Sequence, residues 1–312
     1  MYQELSPMLT HSQKSKRGTL SLLAPTTINM TDRSHTAARY KKLTWFFIAA
    51  ASLAASGCVL MRHFNYIELL VMLWCTIGGT FLIYRINDYI DAEHAFRFNI
   101  LAFLKEKRHM LIVAHLFLFA FPVAFYTITS FSFMVLASVA VLGVFYSITV
   151  PVGTYRFRLK NVFLLKNISI GVAWGSLVLV GAGTLQSADV IALFLFTSVQ
   201  VAIGSMIRDI PDEAKDREAG ARTFPVLFGS KATMRFLFVA NTLSAALLLY
   251  PGITNGIIDV IAITVMWRML NLWKLHQGSG DRLWGQTLNL FTCTVIFLAV
   301  LLKFFIDELA GS

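Results

Sequence analysis

Three acidic residues in the second half of the chain have a spacing that suits metal chemistry. Asp209, Asp212 and Asp216 lie three and then four positions apart, which on a helix places all three carboxylates on one face. Like charges on one face repel one another. Mg²⁺ removes that repulsion because it takes carboxylate oxygens and bridges them to substrate phosphates. The spacing therefore predicts a magnesium site that binds a phosphate-bearing molecule.

A second window earlier in the chain repeats this pattern. It consists of Asn87, Asp88 and Asp91, and Ala95 occupies the position where a third acid would fall. Both windows follow apolar runs, so their acids are expected where a helix leaves the bilayer. Acids at membrane depth are costly and usually mark a functional cavity. The alternative, a solvated loop whose acids pair with nearby basic residues, explains one window well but two matching windows poorly.

Basic and polar side chains near the windows are candidates for binding an anion. Together with magnesium, lysine and arginine make a site for a polyanion such as diphosphate. The candidates are Tyr146, Lys160, Lys166, Asn167 and Arg217. For Arg156 and Arg158, in the same basic segment, membrane topology and attraction to anionic lipid are the simpler explanation.

Aromatic residues are a further candidate feature. Phe81, Tyr84 and Asp88 share one helical face, and Trp174 lies seven residues after Asn167. Rings above the metals would stabilise a carbocation. For any single ring, packing against lipid or a neighbouring helix is the simpler interpretation.

The composition predicts an all-α, polytopic membrane protein. Of the 312 residues, 56% are hydrophobic and only 14% are charged, whereas soluble domains carry about 25% charged residues. Nine apolar runs are long enough to cross a bilayer. The predicted spans are 43–60, 66–86, 110–128, 131–150, 162–184, 188–207, 233–250, 253–273 and 286–306.

The remaining residues define the predicted domains and orientation. Residues 1–42 are rich in Ser, Thr, Lys and Arg and are expected to form a disordered cytoplasmic tail, followed by a transmembrane domain over 43–312. Lysine and arginine concentrate in the tail and in the connections after even-numbered spans, which places the amino terminus and both acidic windows on the cytoplasmic face. This topology accounts for the net charge of +10 without nucleic acid. No protein partner is predicted, and without a signal or transit peptide the endoplasmic reticulum is the expected membrane.

The windows and their flanks resemble the UbiA superfamily of intramembrane prenyltransferases. That family has nine transmembrane helices around a central cavity, an N-D-x-x-D-x-x-x-D first motif and a D-x-x-x-D second motif. Asn87, Asp88 and Asp91 resemble the first motif, and Asp212 with Asp216 resembles the second. The resemblance implies Mg²⁺-dependent chemistry on an isoprenoid diphosphate. The implied metal ligands are Asn87, Asp88, Asp91, Asp209, Asp212 and Asp216, of which Asp88, Asp91, Asp212 and Asp216 are the expected catalytic residues.

Two departures from the family pattern bear on the reaction. Ala95 removes one first-motif ligand, and Phe96 to Asn99 lacks the basic, proline-containing segment that usually follows. These departures favour a terpene cyclase that ionises farnesyl diphosphate and closes the same chain on itself. The alternative is transfer of the prenyl group to an aromatic or quinone-type acceptor. A non-catalytic transporter is less consistent with the paired windows, because transporters usually place their acids near mid-membrane.

Overall fold

The computed structural model describes residues 30–61, 65–92, 122–148, 150–152, 155–218, 220–277 and 279–311. The chain divides into two units, Met1–Tyr40 and Lys41–Ser312. Of the first unit, the structure describes the helical residues 30–40. The proposed tail over 1–42 therefore falls largely outside the described residues and stays a prediction.

Helices make up nearly all of the described chain. They are α1 (Met30–Leu60), α2 (Tyr66–Ala92), α3 (Ser130–Ser147), α4 (Leu165–Ala182), α5 (Ala188–Asp209), α6 (Glu213–Glu218), α7 (Phe224–Ser244), α8 (Asn255–His276), α9 (Ser279–Leu290) and α10 (Thr292–Gly311). One short hairpin, which the sequence did not predict, pairs β1 (Val150–Val152) with β2 (Tyr155–Phe157) in antiparallel register. Short 3₁₀ segments lie at Leu159–Asn161 and Ala245–Leu249.

The all-α membrane class is confirmed. Within the described ranges, six helices are long and apolar enough to cross a membrane, and Thr44–Leu60 is a shorter apolar helix. The predicted total of nine spans is not reproduced in this part of the chain. Most of the predicted third span, 110–128, lies outside the described residues, although residues 122–127 are helical.

Several helix boundaries differ from the predicted ones. Helix α1 begins at Met30 rather than at 43, and the predicted last span is divided at Phe291 into α9 and α10. Helix α2 continues to Ala92, so that Asn87 and Asp88 lie inside its last turns rather than beyond its end. Helix ends depend on local capping and packing, which hydropathy does not report.

Helices α1 and α4 pack with their backbones in direct contact. A methyl group at Gly181 would lie 1.8 Å from the carbonyl oxygen of Ala54, and one at Gly57 would lie 2.1 Å from that of Val178. The Cys58 thiol donates to the carbonyl oxygen of Gly181 across the same interface, at 3.3 Å. Small residues permit this approach, which is the usual way that helices associate tightly in a membrane. The contact fixes α4, whose first turn carries Lys166 and Asn167.

Candidate diphosphate site

A buried carboxylate with two partners lies at the centre of the candidate site. Asp209, the last residue of α5, is 5% exposed. Its Oδ1 lies 2.7 Å from Nζ of Lys166, and its Oδ2 accepts a hydrogen bond of 3.2 Å from Nδ2 of Asn167. Asn167 also donates to Oγ of Ser205, at 3.1 Å. Three predicted site residues are therefore in direct contact, and both oxygens of Asp209 are already engaged.

A turn with an unusual backbone positions Lys166 and Asn167. Leu164, which directly precedes α4, has a φ of 60°, a conformation that costs about 1–3 kcal/mol for a residue other than glycine. Leu164 packs against the cluster formed around Ile203 and Ile207 of α5. Packing on α5 thus holds the strained turn, and with it the basic end of α4, beside Asp209.

The three acids of the second window do not share one continuous helix, so that prediction is wrong. Asp209 ends α5, Asp212 lies in a turn, and Asp216 lies in the short helix α6. The interruption falls at Pro211, which has no backbone N–H and disfavours an uninterrupted helix. The amide of Asp212 instead donates to the carbonyl oxygen of Asp209, and that of Asp216 to the carbonyl oxygen of Asp212. These bonds keep the acids in consecutive turns.

Asp212 and Asp216 differ in their surroundings. The Asp212 side chain is exposed, whereas Oδ2 of Asp216 is buried and has no hydrogen-bond partner among the described residues. Burial raises the pKa of the Asp216 carboxyl, Lys166 opposes that rise, and the negative charge of Asp209 adds to it. A buried carboxylate oxygen without a partner is unfavourable unless a cation or donor reaches it.

Arg217, predicted to bind diphosphate, already has an acidic partner. Its Nη2 donates to Oε1 of Glu213 at 3.0 Å, and Oγ of Ser230 donates to Oε2 of the same carboxylate at 2.6 Å. Both bonds lower the pKa of Glu213, and the bond from Ser230 has the larger effect. Neither Glu213 nor Ser230 was predicted from the sequence as a site residue. The bond between Glu213 and Ser230 links α6 to α7. Ser230 directly follows Gly229, where the backbone of α7 leaves helical geometry.

The first window lies at the end of α2, next to α3. Oγ of Ser147 donates to Oδ1 of Asn87 at 3.3 Å, and Nε of Arg158 donates to the carbonyl oxygen of Ser147 at 2.8 Å. Arg158 therefore holds the carboxyl end of α3 by a hydrogen bond, a structural role in addition to its effect on membrane topology. Asp88 is exposed, and the side chain of Asp91 lies outside the described residues, as do Ala95 and the segment from Phe96 to Asn99.

Aromatic rings lie between the two windows. Phe46 stacks on Tyr84 with ring centroids 4.5 Å apart, and Trp174 lies 6.1 Å from Phe46. The guanidinium carbon of Arg208, next to Asp209, is 5.6 Å from the Phe46 ring centre. Tyr84 precedes Asp88 by one helical turn, so this aromatic group connects the neighbourhoods of the two windows. In the described part of the chain no hydrogen bond or ion pair joins their acids directly.

The donor set suits a divalent cation in its chemistry. Carboxylate oxygens at Asp88, Asp212 and Asp216, together with the amide oxygen of Asn87, are the kinds of ligand that Mg²⁺ takes. Among the described residues, the buried Oδ2 of Asp216 has no hydrogen-bond partner. Within the described residues, no group of three or more His, Cys, Asp or Glu side chains is arranged as a metal site. The Asp91 side chain lies outside them, so the full predicted ligand set stays a prediction.

The remaining predicted site residues lie nearby but have less defined roles. Tyr146, half-buried, directly precedes Ser147 near the end of α3, and Lys160 is half-buried in the 3₁₀ turn before α4. Ser205, which was not predicted as a site residue, lies one turn before Asp209 on α5. Its position four residues before an acid was the available signal, since such residues share a helical face.

The fold and the site define an integral membrane protein in which acids, a half-buried lysine and aromatic rings lie near one another at the helix ends. Residues 43–301 match the model of the UbiA prenyltransferase family. The chain belongs to this family, which is a family of enzymes. The predicted superfamily membership is therefore confirmed.

Solved structures and a curated relative agree with this assignment. A UbiA homologue from Aeropyrum pernix K1, without ligand, has a TM-score of 0.60 at 18% identity and covers 82% of this chain and 97% of its own. A UbiA homologue from Archaeoglobus fulgidus, solved with DMAPP and Mg²⁺, has a TM-score of 0.58 at 14% identity and covers 83% and 96%. Digeranylgeranylglyceryl phosphate synthase of Methanospirillum hungatei JF-1 is 32% identical over 101 residues. That match covers 31% of this chain and 36% of the relative.

Proposed function

We propose that the protein ionises an isoprenoid diphosphate inside the membrane in a Mg²⁺-dependent reaction. The observation that carries this proposal is the buried Asp209, held by Lys166 and Asn167 beside the aromatic group around Phe46. Archaeoglobus fulgidus homologues with the same fold were solved with DMAPP and Mg²⁺ and with GPP and Mg²⁺, which supports this substrate class.

Each side chain has a role in this reaction. Asn87, Asp88, Asp91, Asp212 and Asp216 would hold Mg²⁺, and Asp209 would join them only by giving up a present partner. When bound, Mg²⁺ supplies positive charge that stabilises the leaving diphosphate. Lys166 and Lys160 add donors for its oxygens. Tyr146, Asn167 and Arg217 are further candidates to bind the diphosphate.

Ionisation leaves an allylic cation. The C–O bond breaks, its electron pair departs with the diphosphate, and the cation remains near Phe46, Tyr84 and Trp174. The faces of aromatic rings stabilise such a cation. The packed helices around these rings exclude water, which would otherwise capture it.

For the fate of the cation we favour intramolecular cyclisation of farnesyl diphosphate. A distal double bond of the same chain supplies the electron pair for a new C–C bond, and loss of a proton to the released diphosphate gives a neutral hydrocarbon. The chamber beside Arg208 is lined by Trp45, Phe46 and Trp174. Its described lining contains no acid or histidine that would activate an acceptor hydroxyl.

Transfer to an aromatic or quinone-type acceptor is the second candidate. The family to which the chain belongs is named for prenyl transfer, and this observation favours it. In that reaction the acceptor carbon or oxygen attacks the allylic cation and then loses its own proton.

The purified protein, given farnesyl diphosphate and Mg²⁺ without an acceptor, distinguishes these reactions. Cyclisation predicts diphosphate release and a volatile hydrocarbon in the headspace. Diphosphate release only when a phenol is added, with a prenylated phenol as product, would favour transfer. Absence of diphosphate release under both conditions, and with geranyl and geranylgeranyl diphosphate, would contradict the proposed function itself.

Single substitutions test the metal assignment. Asp212→Ala, at an exposed side chain, and Asp91→Ala should each abolish diphosphate release. Asp259→Ala is the matched control, since Asp259 is exposed on α8 outside both windows. Turnover retained in the Asp212 variant would contradict its role as a ligand.

We also propose that the protein resides in the endoplasmic reticulum, with its amino terminus and both windows facing the cytoplasm. The distribution of lysine and arginine among the connections supports this orientation. A glycosylation acceptor sequence introduced before Thr44 should stay unmodified in microsomes. Modification there would place the amino terminus in the lumen.

A further inference from the structure

A polar cavity lies at the end of the bundle opposite the acidic windows. It has a volume of about 420 Å³ and is formed where α5 and α8 begin, close to the carboxyl ends of α1 and α10. Asp189 in its lining belongs to the first turn of α5, whereas Asp209 of the candidate diphosphate site is the last residue of that helix. A helix of 22 residues is about 33 Å long, and the hydrocarbon core of a bilayer is about 30 Å thick. The cavity and the diphosphate site therefore lie near opposite faces of the membrane.

One carboxylate in this cavity is held by neutral donors. Oδ1 of the half-buried Asp189 accepts a hydrogen bond of 2.7 Å from the backbone N–H of Thr254, and Oδ2 accepts one of 2.8 Å from the Thr254 hydroxyl. These bonds fix the carboxylate beside the start of α8. Among the described residues, no lysine, arginine or histidine pairs with Asp189, although its position in the first turn of α5 favours a negative charge. Each of its oxygens can accept a further hydrogen bond.

A lysine and a second carboxylate line the same cavity. Nζ of Lys303 lies 2.8 Å from Oδ1 of Asp307, one turn further along α10. The stem of Lys303 crosses Gly256, where an added methyl group would lie 2.8 Å from its Cε, so the glycine leaves room for the lysine against α8. The side chain of Asp307 is 42% exposed, and the cavity therefore opens to the surface. Two carboxylates and one ammonium leave the described lining with an excess of negative charge.

Much of the remaining lining is apolar. It includes Val59 and Leu60 of α1, Val260 of α8, and Val300 and Phe304 of α10. The cavity thus has a charged side and a hydrocarbon side, and its volume is within the usual range for small-molecule sites of about 300–1,000 Å³. A single metal ion would leave the hydrocarbon side empty, and an anionic ligand would be repelled by the excess negative charge. An amphipathic ligand with a cationic group suits both sides.

We propose that this cavity binds the head group of a membrane phospholipid that carries a primary ammonium beside its phosphate, as ethanolamine phospholipids do. The ammonium donates to Asp189 and Asp307, the phosphate accepts from Lys303, and the glycerol end contacts the hydrocarbon side. Choline has no N–H to donate, and quaternary ammonium groups are recognised by cages of aromatic rings. Phe304 is the one aromatic residue in the described lining. The site does not depend on the proposed reaction.

Thermal unfolding of the full chain in an uncharged detergent tests this proposal. Ethanolamine and choline phospholipids with identical acyl chains are titrated into the micelles over the same range of mole fraction. The midpoint temperature should rise with the ethanolamine lipid and reach a plateau, because a ligand that binds only the folded state stabilises it by mass action. The apparent affinity for the choline lipid should be about tenfold lower, as expected for the loss of a hydrogen bond to a charged group.

Variants of the two carboxylates assign this effect to the cavity. Asp307→Asn, at an exposed side chain, should weaken the apparent affinity for the ethanolamine lipid about three- to tenfold. Glu308→Gln is the matched control, since Glu308 is exposed on the same helix and does not line the cavity, and it should keep the wild-type affinity. Asp189→Asn retains one oxygen for Thr254 and should weaken the affinity at least as much as Asp307→Asn. If Asp189→Asn does not fold, the exposed Asp307 decides the matter.

A soluble head group distinguishes a lipid from a free metabolite. Glycerophosphoethanolamine has the same charged groups without acyl chains, so it should give no plateau over the concentrations at which the lipid saturates. An equal effect of the soluble compound would assign the cavity to a soluble ligand and overturn the lipid proposal. Equal stabilisation by ethanolamine and choline lipids, or an unchanged response in Asp307→Asn, would also overturn it.

Discussion

Replacing Lys166 by methionine tests whether its contact with Asp209 holds the candidate site together. The substitution keeps the length of the side chain but removes the ammonium group 2.7 Å from Oδ1 of Asp209. The carboxylate then retains the bond from Asn167 and loses its only described cation partner. Because Asp209 is buried, its charge would be left partly uncompensated.

The expected loss is large for one substitution. Breaking a buried ion pair by removing one partner costs about 3–5 kcal/mol. The Lys166 side chain is 21% exposed, so water relieves part of this loss and we expect about 2–4 kcal/mol. For a chain of this size, that lowers the midpoint of thermal unfolding by roughly 5–15 °C. Lys231→Met removes the same charge from an exposed position and should shift it by less than about 2 °C.

A double-mutant cycle assigns the loss to this contact. Asp209→Asn removes the charge that Lys166 neutralises, so Lys166→Met combined with Asp209→Asn should be more stable than the sum of the single effects by about 1–3 kcal/mol. Thermal unfolding in detergent, followed by circular dichroism, measures all four proteins. A coupling energy below about 0.5 kcal/mol, or equal effects at Lys166 and Lys231, would refute the argument.

Two further substitutions test other parts of the fold. Asp216→Asn should raise stability at pH 7 by less than about 1 kcal/mol while abolishing diphosphate release. Burial raises the pKa of the Asp216 carboxyl in the folded state, so its ionisation opposes folding at pH 7. The difference in stability between the variant and wild type should vanish as the pH falls toward 3.8. A variant less stable than wild type at pH 7 would contradict this. Gly181→Ala should cost about 1–3 kcal/mol or more through overpacking against Ala54. Ser176→Ala on the same helix is its control, and equal unfolding midpoints would contradict the close packing.

The sequence predicted the class of fold and much of the site for physical reasons. Long apolar runs have few stable states other than membrane helices. The acids had to lie near helix ends, since charge is costly within the bilayer. Asp209, Lys166 and Asn167 were all named as candidates, and the structure brings them into contact.

What the sequence could not predict depended on contacts between distant residues. Packing between distant segments buries Asp209. It also brings Arg158 to the carbonyl oxygen of Ser147 and Ser230 to the carboxylate of Glu213. The second window is divided because Pro211 interrupts the helix. Pro211 is visible in the sequence, but the prediction of one helical face used only the spacing of the acids. Arg268 lies within the apolar run of α8, and only the structure shows its hydrogen bonds to Gln200 of α5 and Asn289 of α9.

The close contact between α1 and α4 would restrict how the proposed isoprenoid substrate reaches the interior. With Gly57 against Val178 and Gly181 against Ala54, the two backbones meet without space for an acyl or isoprenyl chain between them. In the proposed reaction, the isoprenoid tail would therefore enter at a different helix seam.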